Sequence, residues 1–198
     1  MHVWETASGR LLKSWPAHYK AVTALAFTDD DSLLLSCSED TVVHTWSLLV
    51  VLDAFAEDTA PPVPMYSWAM HTLPVSGLHV GAGGGTALVA TCSADRTARL
   101  WTLAQGALLR TVVLPAAASA VVVDPTDSLL CVGATSGAIF LRALNVAPEA
   151  AGSHAAATER TLDGHRQAIT ALAFTLNGKN LASGAVHPPA CRPPSLGP

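Results

Sequence analysis

The strongest constraint on the fold is an aspartate placed six residues before a tryptophan, which occurs twice. SCSEDTVVHTW sets Asp40 before Trp46, and TCSADRTARLW sets Asp95 before Trp101 at the same interval. A hydroxyl residue stands four positions before each aspartate, Ser36 in one copy and Thr91 in the other. A histidine precedes each copy at nearly equal distance, His18 and His71. In the second copy, Ser-Ala-Asp-Arg separates two β-prone runs, LVATCS and TARLW, which predicts a hairpin. On a period of two, Ala98 and Leu100 share one face, and Thr97, Arg99 and Trp101 share the other. Two matches with matching histidines define a repeat, and a repeat decides the architecture before any other signal.

The repeat extends in both directions. AITALAFT at Ala168 copies AVTALAFT at Ala21 with one change in eight positions, and the leading histidines His165 and His18 share the offset of 147 residues. His71 follows His18 by 53 positions and His165 follows His71 by 94, which fits one unit followed by two. The intervening unit, SAVVVDPTDSLLCVGATSGAIFLRAL, keeps strand, turn and strand. It has no leading histidine, no aspartate before its third strand and no tryptophan. Near the N-terminus HVWETASGRLL parallels RLWTLAQGALL, so Trp4 stands where Trp46 and Trp101 stand.

These units resemble the WD-repeat β-propeller family, in which each blade is a four-stranded antiparallel sheet. The resemblance covers roughly residues 1–184. It departs from the family pattern after the tryptophans, where Ser47 and Thr102 replace an aspartate, and throughout the degenerate third unit. The implied fold is all-β: an incomplete WD-repeat propeller of about four blades, an open arc. Its expected parts are a blade remnant at 1–16, blades at 17–55 and 68–112, a degenerate blade at 113–145 and a partial blade at 162–184. Residues 185–198 are expected to form a proline-rich tail outside the repeat, as an alternative exon or read-through would. Val3, Leu172 and Phe174, beside the incomplete blades, are expected to be less buried than their counterparts in whole ones. Self-association and poor solubility are expected with them.

In the family, His, Ser or Thr, Asp and Trp side chains form a hydrogen-bonded chain that ties a blade together. The resemblance places that chain on His18, Ser36, Asp40 and Trp46, then on His71, Thr91, Asp95 and Trp101, and in part on His165 and Ser183. Histidine, serine and aspartate are also the groups of a hydrolase triad. Here, however, Ser36 and Thr91 lie inside strands, and the set recurs in successive units, so the structural reading is preferred. Tyr19, Lys20, Glu39 and Arg96, in loops beside the histidines and aspartates, are the candidates for facing a partner. Their alternative role is to solvate the rim.

Composition narrows the function classes. The net charge is −4 and the 11 Lys and Arg are scattered, so no basic patch for nucleic acid is evident. Half of the residues are apolar and 13% are charged, as a largely buried sheet protein requires. Four cysteines (Cys37, Cys92, Cys131, Cys191) form no C-x-x-C pair and are expected as buried thiols in a reducing compartment. Eight histidines show no metal-ligand spacing, so neither a metal nor another cofactor is expected. The run GAGGG at 81–85 is followed by a strand and lacks the G-K-[ST] ending, which predicts a flexible hairpin loop, not a phosphate site. Residues 56–64 (AEDTAPPVP) and 148–161 (PEAAGSHAAATERT) are expected as surface loops. No stretch has the length of a membrane span and no signal peptide is recognisable, so a soluble intracellular protein is expected.

Within the family, AHYKAV, TWSL, MHTLPVSGLHVGAGGG and TCSADRTARLWTLAQGALL follow the order seen in a nucleolar member. That similarity implies a scaffold subunit in large ribosomal subunit maturation and pre-rRNA processing. Its implied partners are helical-repeat scaffold subunits and ribosome-assembly factors. A substrate receptor of another assembly, such as a ubiquitin ligase, and a non-functional truncated isoform remain as alternatives. An enzyme is the weakest reading, because no catalytic set occurs outside the repeated one.

Overall fold

The computed structural model describes residues 1–52, 61–144 and 159–186. Sixteen short strands make up nearly all of its regular structure. They are β1 (His2–Trp4), β2 (Leu11–Ser14), β3 (Val22–Phe27), β4 (Leu33–Ser38), β5 (Val43–Ser47) and β6 (Tyr66–Trp68). Then follow β7 (Val75–Val80), β8 (Leu88–Ser93), β9 (Thr97–Thr102), β10 (Ala107–Val113), β11 (Ala118–Val123) and β12 (Leu129–Ala134). The last are β13 (Ile139–Ala143), β14 (Glu159–Leu162), β15 (Ile169–Phe174) and β16 (Leu181–Ala185). The helical elements among the described residues are one four-residue turn, Leu48–Val51, and one 3₁₀ turn, Gly84–Thr86.

The strands form three whole sheets, β3-β4-β5-β6, β7-β8-β9-β10 and β11-β12-β13-β14, flanked by the pairs β1-β2 and β15-β16. Every neighbour is antiparallel and consecutive in sequence, so short turns suffice for most connections. This is an incomplete propeller. The register repeats from sheet to sheet: Leu34 faces Trp46, Val89 faces Trp101, and Leu130 faces Arg142. Each first strand carries a bulge after its first residue, at Val22/Ala24, Val75/Gly77, Ala118/Ala120 and Ile169/Ala171.

The apolar cores lie between sheets. Leu35, Val43, Trp68, Val75, Val89 and Trp101 fill the space between the first two sheets. Ala98, Leu100, Val121, Leu130, Val132 and Phe140 fill the next. Trp15, Leu34, Trp46 and Val51 join β1-β2 to the first sheet, and Val122, Cys131, Ile139 and Ile169 join the third sheet to β15-β16. The middle strands β4, β8 and β12 are buried over nearly their whole length, which explains their continuous apolar and small residues.

Several sequence expectations meet a different structure. Glu159, Arg160 and Thr161 are not loop: they belong to β14, which pairs with β13 although every β14 residue is exposed. Backbone pairing, not side-chain burial, holds that strand, so no alternation marks it. Ala185 likewise ends β16 and faces Ile169 across the ladder. Tyr66–Trp68 is the fourth strand of the first whole sheet, outside the 17–55 bounds drawn from the sequence. The glycine run is the hairpin loop between β7 and β8, as expected, and it is tied to the turn between β3 and β4. The Asp29 carboxylate accepts from the Gly83 and Gly84 amides at 3.1 and 2.6 Å. Gly84 has φ +56°, and a Cβ there would collide with Asp30.

Val3 is half-buried, whereas its counterparts Thr45 and Leu100 are buried, as expected. Leu172 and Phe174 are also half-buried and less covered than Val121 and Val123. Their counterparts in the first whole sheet, Leu25 and Phe27, reverse the expectation at 56% and 54% exposed. The pair β1-β2 packs on Trp46 and Leu34, which leaves that part of β3 uncovered. The expected loop at 56–64 is described only from residue 61, and the loop at 148–158, the tail from 187 and Cys191 lie outside the described residues.

Candidate functional site

The repeated side chains converge in the first and second sheets with nearly identical geometry. In the hairpin between β8 and β9, Arg96 takes φ 65°, and Thr41 takes φ 74° in the hairpin between β4 and β5. Each aspartate sits just before this left-handed residue. Asp95 Oδ1 accepts from the Thr97 amide at 2.9 Å and from its hydroxyl at 2.6 Å. Asp40 Oδ1 accepts from the Val42 amide at 3.1 Å. The second carboxylate oxygen of each reaches the histidine: His18 Nδ1 at 3.0 Å from Asp40, His71 Nδ1 at 2.9 Å from Asp95. It also accepts the next backbone amide, from Tyr19 or Thr72.

The far side of each imidazole meets the hydroxyl. His18 Nε2 lies 2.8 Å from Ser36 Oγ, and His71 Nε2 lies 2.9 Å from Thr91 Oγ1. Trp46 and Trp101 donate their indole N–H to the same two oxygens, both at 3.0 Å. In the second sheet, where burial favours a neutral His71, the Trp101 indole N–H donates to Thr91, the Thr91 hydroxyl to Nε2, and Nδ1–H to the Asp95 carboxylate.

The electrostatics agree with that order. Burial depresses the His71 pKa below 6.5, against the opposing pull of Asp95. Burial pushes the Asp95 carboxyl up, but hydrogen bonds from Thr97 and His71 and the Thr72 amide outweigh it and hold it at about 2. Asp40 is lowered by the same balance: burial opposes, and the Val42 and Tyr19 amides and His18 prevail.

Ser36 and Thr91 are fully buried and bonded on two sides. A nucleophile needs an open approach; these hydroxyls have none in this arrangement. What the set can do is join three strands and the incoming loop of one sheet through buried hydrogen bonds.

In β15-β16 the set is shorter: His165 Nε2 lies 2.8 Å from Ser183 Oγ. In the third sheet the aligned positions are Leu114, Val132, Ser136 and Arg142, and the first two are buried beside Phe140. Arg142 lies 5.8 Å over the Phe140 ring and pairs with Glu159 at 3.2 Å.

Tyr19, Lys20, Glu39 and Arg96 are all exposed, in the loops beside the two carboxylates. No three metal-ligating side chains converge among the described residues. Cys37, Cys92 and Cys131 are buried free thiols, and burial raises Cys92 and Cys131 to about 12. Among the described residues no helix is long and apolar enough to cross a membrane.

A further set of contacts was missed in the sequence. The Thr23 hydroxyl at the β3 bulge donates to the Val75 carbonyl at 2.7 Å, and Ser76 at the β7 bulge donates to the Ala118 carbonyl at 2.7 Å. Each tie links the first strands of adjacent sheets. The signal was present as a hydroxyl residue at the second position of every first strand: Thr23, Ser76, Ser119 and Thr170.

Comparison with known proteins agrees with this architecture. The model of the WD domain, G-beta repeat family matches residues 9–47, 63–102 and 157–186. The chain is similar to Protein ROOT INITIATION DEFECTIVE 3 of Arabidopsis thaliana, 32% identical over 96% of this chain and 43% of that protein. WD repeat-containing protein 18 of Homo sapiens is 35% identical over 93% of this chain and 43% of its own length. Pre-rRNA-processing protein IPI3 of Yarrowia lipolytica is 39% identical over 92% of this chain and 44% of its own length. The chain spans less than half the length of these relatives. Its repeats, its sheets and the family match together place the chain in the WD-repeat family.

Proposed function

We propose that the chain is a protein-interaction scaffold and serves in a nucleolar complex for large ribosomal subunit maturation and pre-rRNA processing. The observation that carries this reading is the similarity to IPI3 of Yarrowia lipolytica, a protein named for pre-rRNA processing, across 92% of the chain. A second relative, Pre-rRNA-processing protein pro-1 of Caenorhabditis elegans, bears the same function in its name. The geometry supports binding over chemistry, since among the described residues the sets of His, Ser or Thr and Asp are buried, self-satisfied and repeated. The partners of this reading are helical-repeat scaffold subunits and ribosome-assembly factors, and its location is the nucleus and nucleolus. Tyr19, Lys20, Glu39 and Arg96 are the partner-facing residues, because they stand exposed at the end of the sheets that holds both carboxylates.

Affinity capture of the tagged chain from cells, with mass spectrometry, tests this. Co-purification of ribosome-assembly factors is expected, and the double variant Glu39→Lys/Arg96→Glu should lower their recovery. Capture of a cullin adaptor without assembly factors would replace this reading with that of a ubiquitin-ligase receptor.

A further inference from the structure

The first strands β7, β11 and β15 of three successive sheets meet at one cavity of about 420 Å³. It lies at their C-terminal ends, away from the end that holds Asp40 and Asp95. Val122, Leu172, Phe174 and Leu176 give it an apolar lining. Leu172 and Phe174 pack toward Ala120 and Val122 of the preceding sheet, so the cavity lies between sheets. No wall of it comes from β1 or β16. Leu176 stands at its mouth with 99% of its surface in water.

Two polar side chains in this lining are left unbonded. The Asp127 carboxylate has no hydrogen-bond or ion-pair partner among the described residues. A Cβ at Gly81 would come within 3.3 Å of its Oδ1, which places the carboxylate beside the glycine hairpin at the cavity edge. Desolvation and the charge of Asp124 push its carboxyl up, so a cation beside it is favoured. Asp124 itself is satisfied within its turn, accepting from the Ser128 and Leu129 amides at 2.7 and 2.6 Å. His79, half-buried in the wall, likewise has no hydrogen bond to a described residue. Burial favours its neutral ring, which offers one donor and one acceptor. An apolar hollow with a few convergent, unsatisfied polar groups has the form of a binding site.

We propose that this cavity binds a peptide segment of a partner protein, seating one apolar side chain against Leu172, Phe174 and Leu176 and a neighbouring Arg or Lys on Asp127. The two carboxylates at the rim repel an acidic segment and favour a basic one. The volume holds a side chain or two, not a folded domain, and His79 offers the segment's backbone a hydrogen bond. The site is a second contact surface, at the opposite end of the sheets from Tyr19, Lys20, Glu39 and Arg96. That the ligand is a protein segment rests on the scaffold reading; the cavity and its charge do not.

A hexapeptide array probed with the 198-residue chain tests it. Each peptide carries Leu, Phe or Met close to Arg, Gln or Glu, and the Arg peptides should be retained over their counterparts. Fluorescence anisotropy of the best peptide then reads affinity. Ala82→Trp fills the mouth from an exposed position and should weaken binding by about tenfold or more. Asp127→Asn should weaken it by about threefold, and Asp127→Lys should turn the preference to the Glu peptide. Far-UV circular dichroism checks that the variants fold. No retained peptide, equal retention of Arg and Glu peptides, or affinity unchanged by Ala82→Trp would overturn the proposal. Self-association that Ala82→Trp abolishes in sedimentation velocity would give the cavity to a second copy and overturn it as well. Capture of ribosome-assembly factors by a chain that binds no peptide would remove this inference alone. Peptide binding without such capture would remove only the ribosome-assembly reading.

Discussion

The second and third sheets share strand order, ladder register and depth of burial, yet hold their interiors by opposite means. In the second, His71, Thr91, Asp95 and Trp101 form a buried polar chain. In the third, Leu114, Val132 and Phe140 are packed in apolar contact at and beside the aligned positions, and Arg142 turns to Glu159. The blade topology therefore does not depend on the polar chain. It depends on a middle strand that is buried on both faces and on turns that keep the register. The polar chain adds a directional lock to a fold that burial already favours, and it makes the locked sheets sensitive to changes that the third should tolerate.

The largest contrast is expected at the ends of the third strands. Trp101 is 2% exposed and stacked on Trp68, so Trp101→Ala should cost about 3–5 kcal/mol. Arg142→Ala removes an ion pair whose glutamate side chain is 57% exposed, and should cost about 1 kcal/mol or less. Denaturant titration of both variants checks the pair, and equal losses would break the comparison.

Next come the hairpins. Asp95→Ala leaves buried donors unpaired and should cost about 1–3 kcal/mol, whereas exposed Ser136→Ala, at the aligned position, should stay within about 0.5 kcal/mol. An Asp95→Ala loss too small to measure would mean that the lock contributes nothing. Ser76→Ala, which cuts the tie to the Ala118 carbonyl, should cost about 0.5–1.5 kcal/mol and loosen the junction of the two sheets.

The smallest contrast is in acid. Burial depresses the pKa of His44, His71 and His79, all in the first two sheets, below 6.5. The unfolded chain binds those protons first, so the stability they contribute is full above 6.5 and is lost as pH falls through the lower folded values. Asp95 works in a separate window, its contribution present above 3.8 and lost as pH falls toward about 2. The described part of the third sheet holds no histidine. Hydrogen exchange between about pH 6.5 and 5 should show protection falling in β4 and β8 before β12.

What was legible in the sequence follows the same division. The repeat could be read because each member is a distinctive residue at a fixed interval, the family resemblance implied that these residues bond to one another, and the structure brings His18, Ser36, Asp40 and Trp46 together. The third unit was legible as strand, turn and strand, because Val121, Val123 and Leu130 alternate with turns. Its apolar replacement was not, since Leu114 and Val132 look like any core residues until the register aligns them with His71 and Thr91. Strand β14 was hidden because it is exposed along its length and held by its ladder and the Arg142–Glu159 pair. The Asp29 tie to Gly83 and Gly84 spans 54 and 55 residues of sequence, a separation at which spacing carries no signal.

The central claim is that the four side chains act as one unit, and a double-mutant cycle tests it most directly. Trp101→Phe removes the indole N–H at one end and Asp95→Ala removes the carboxylate at the other, with His71 and Thr91 between them. Their joint effect on unfolding free energy should depart from the sum of the single effects by more than about 0.5 kcal/mol. The same cycle on Ser136→Ala and Phe140→Leu in the third sheet should be additive. Additivity in the second sheet as well would contradict the account.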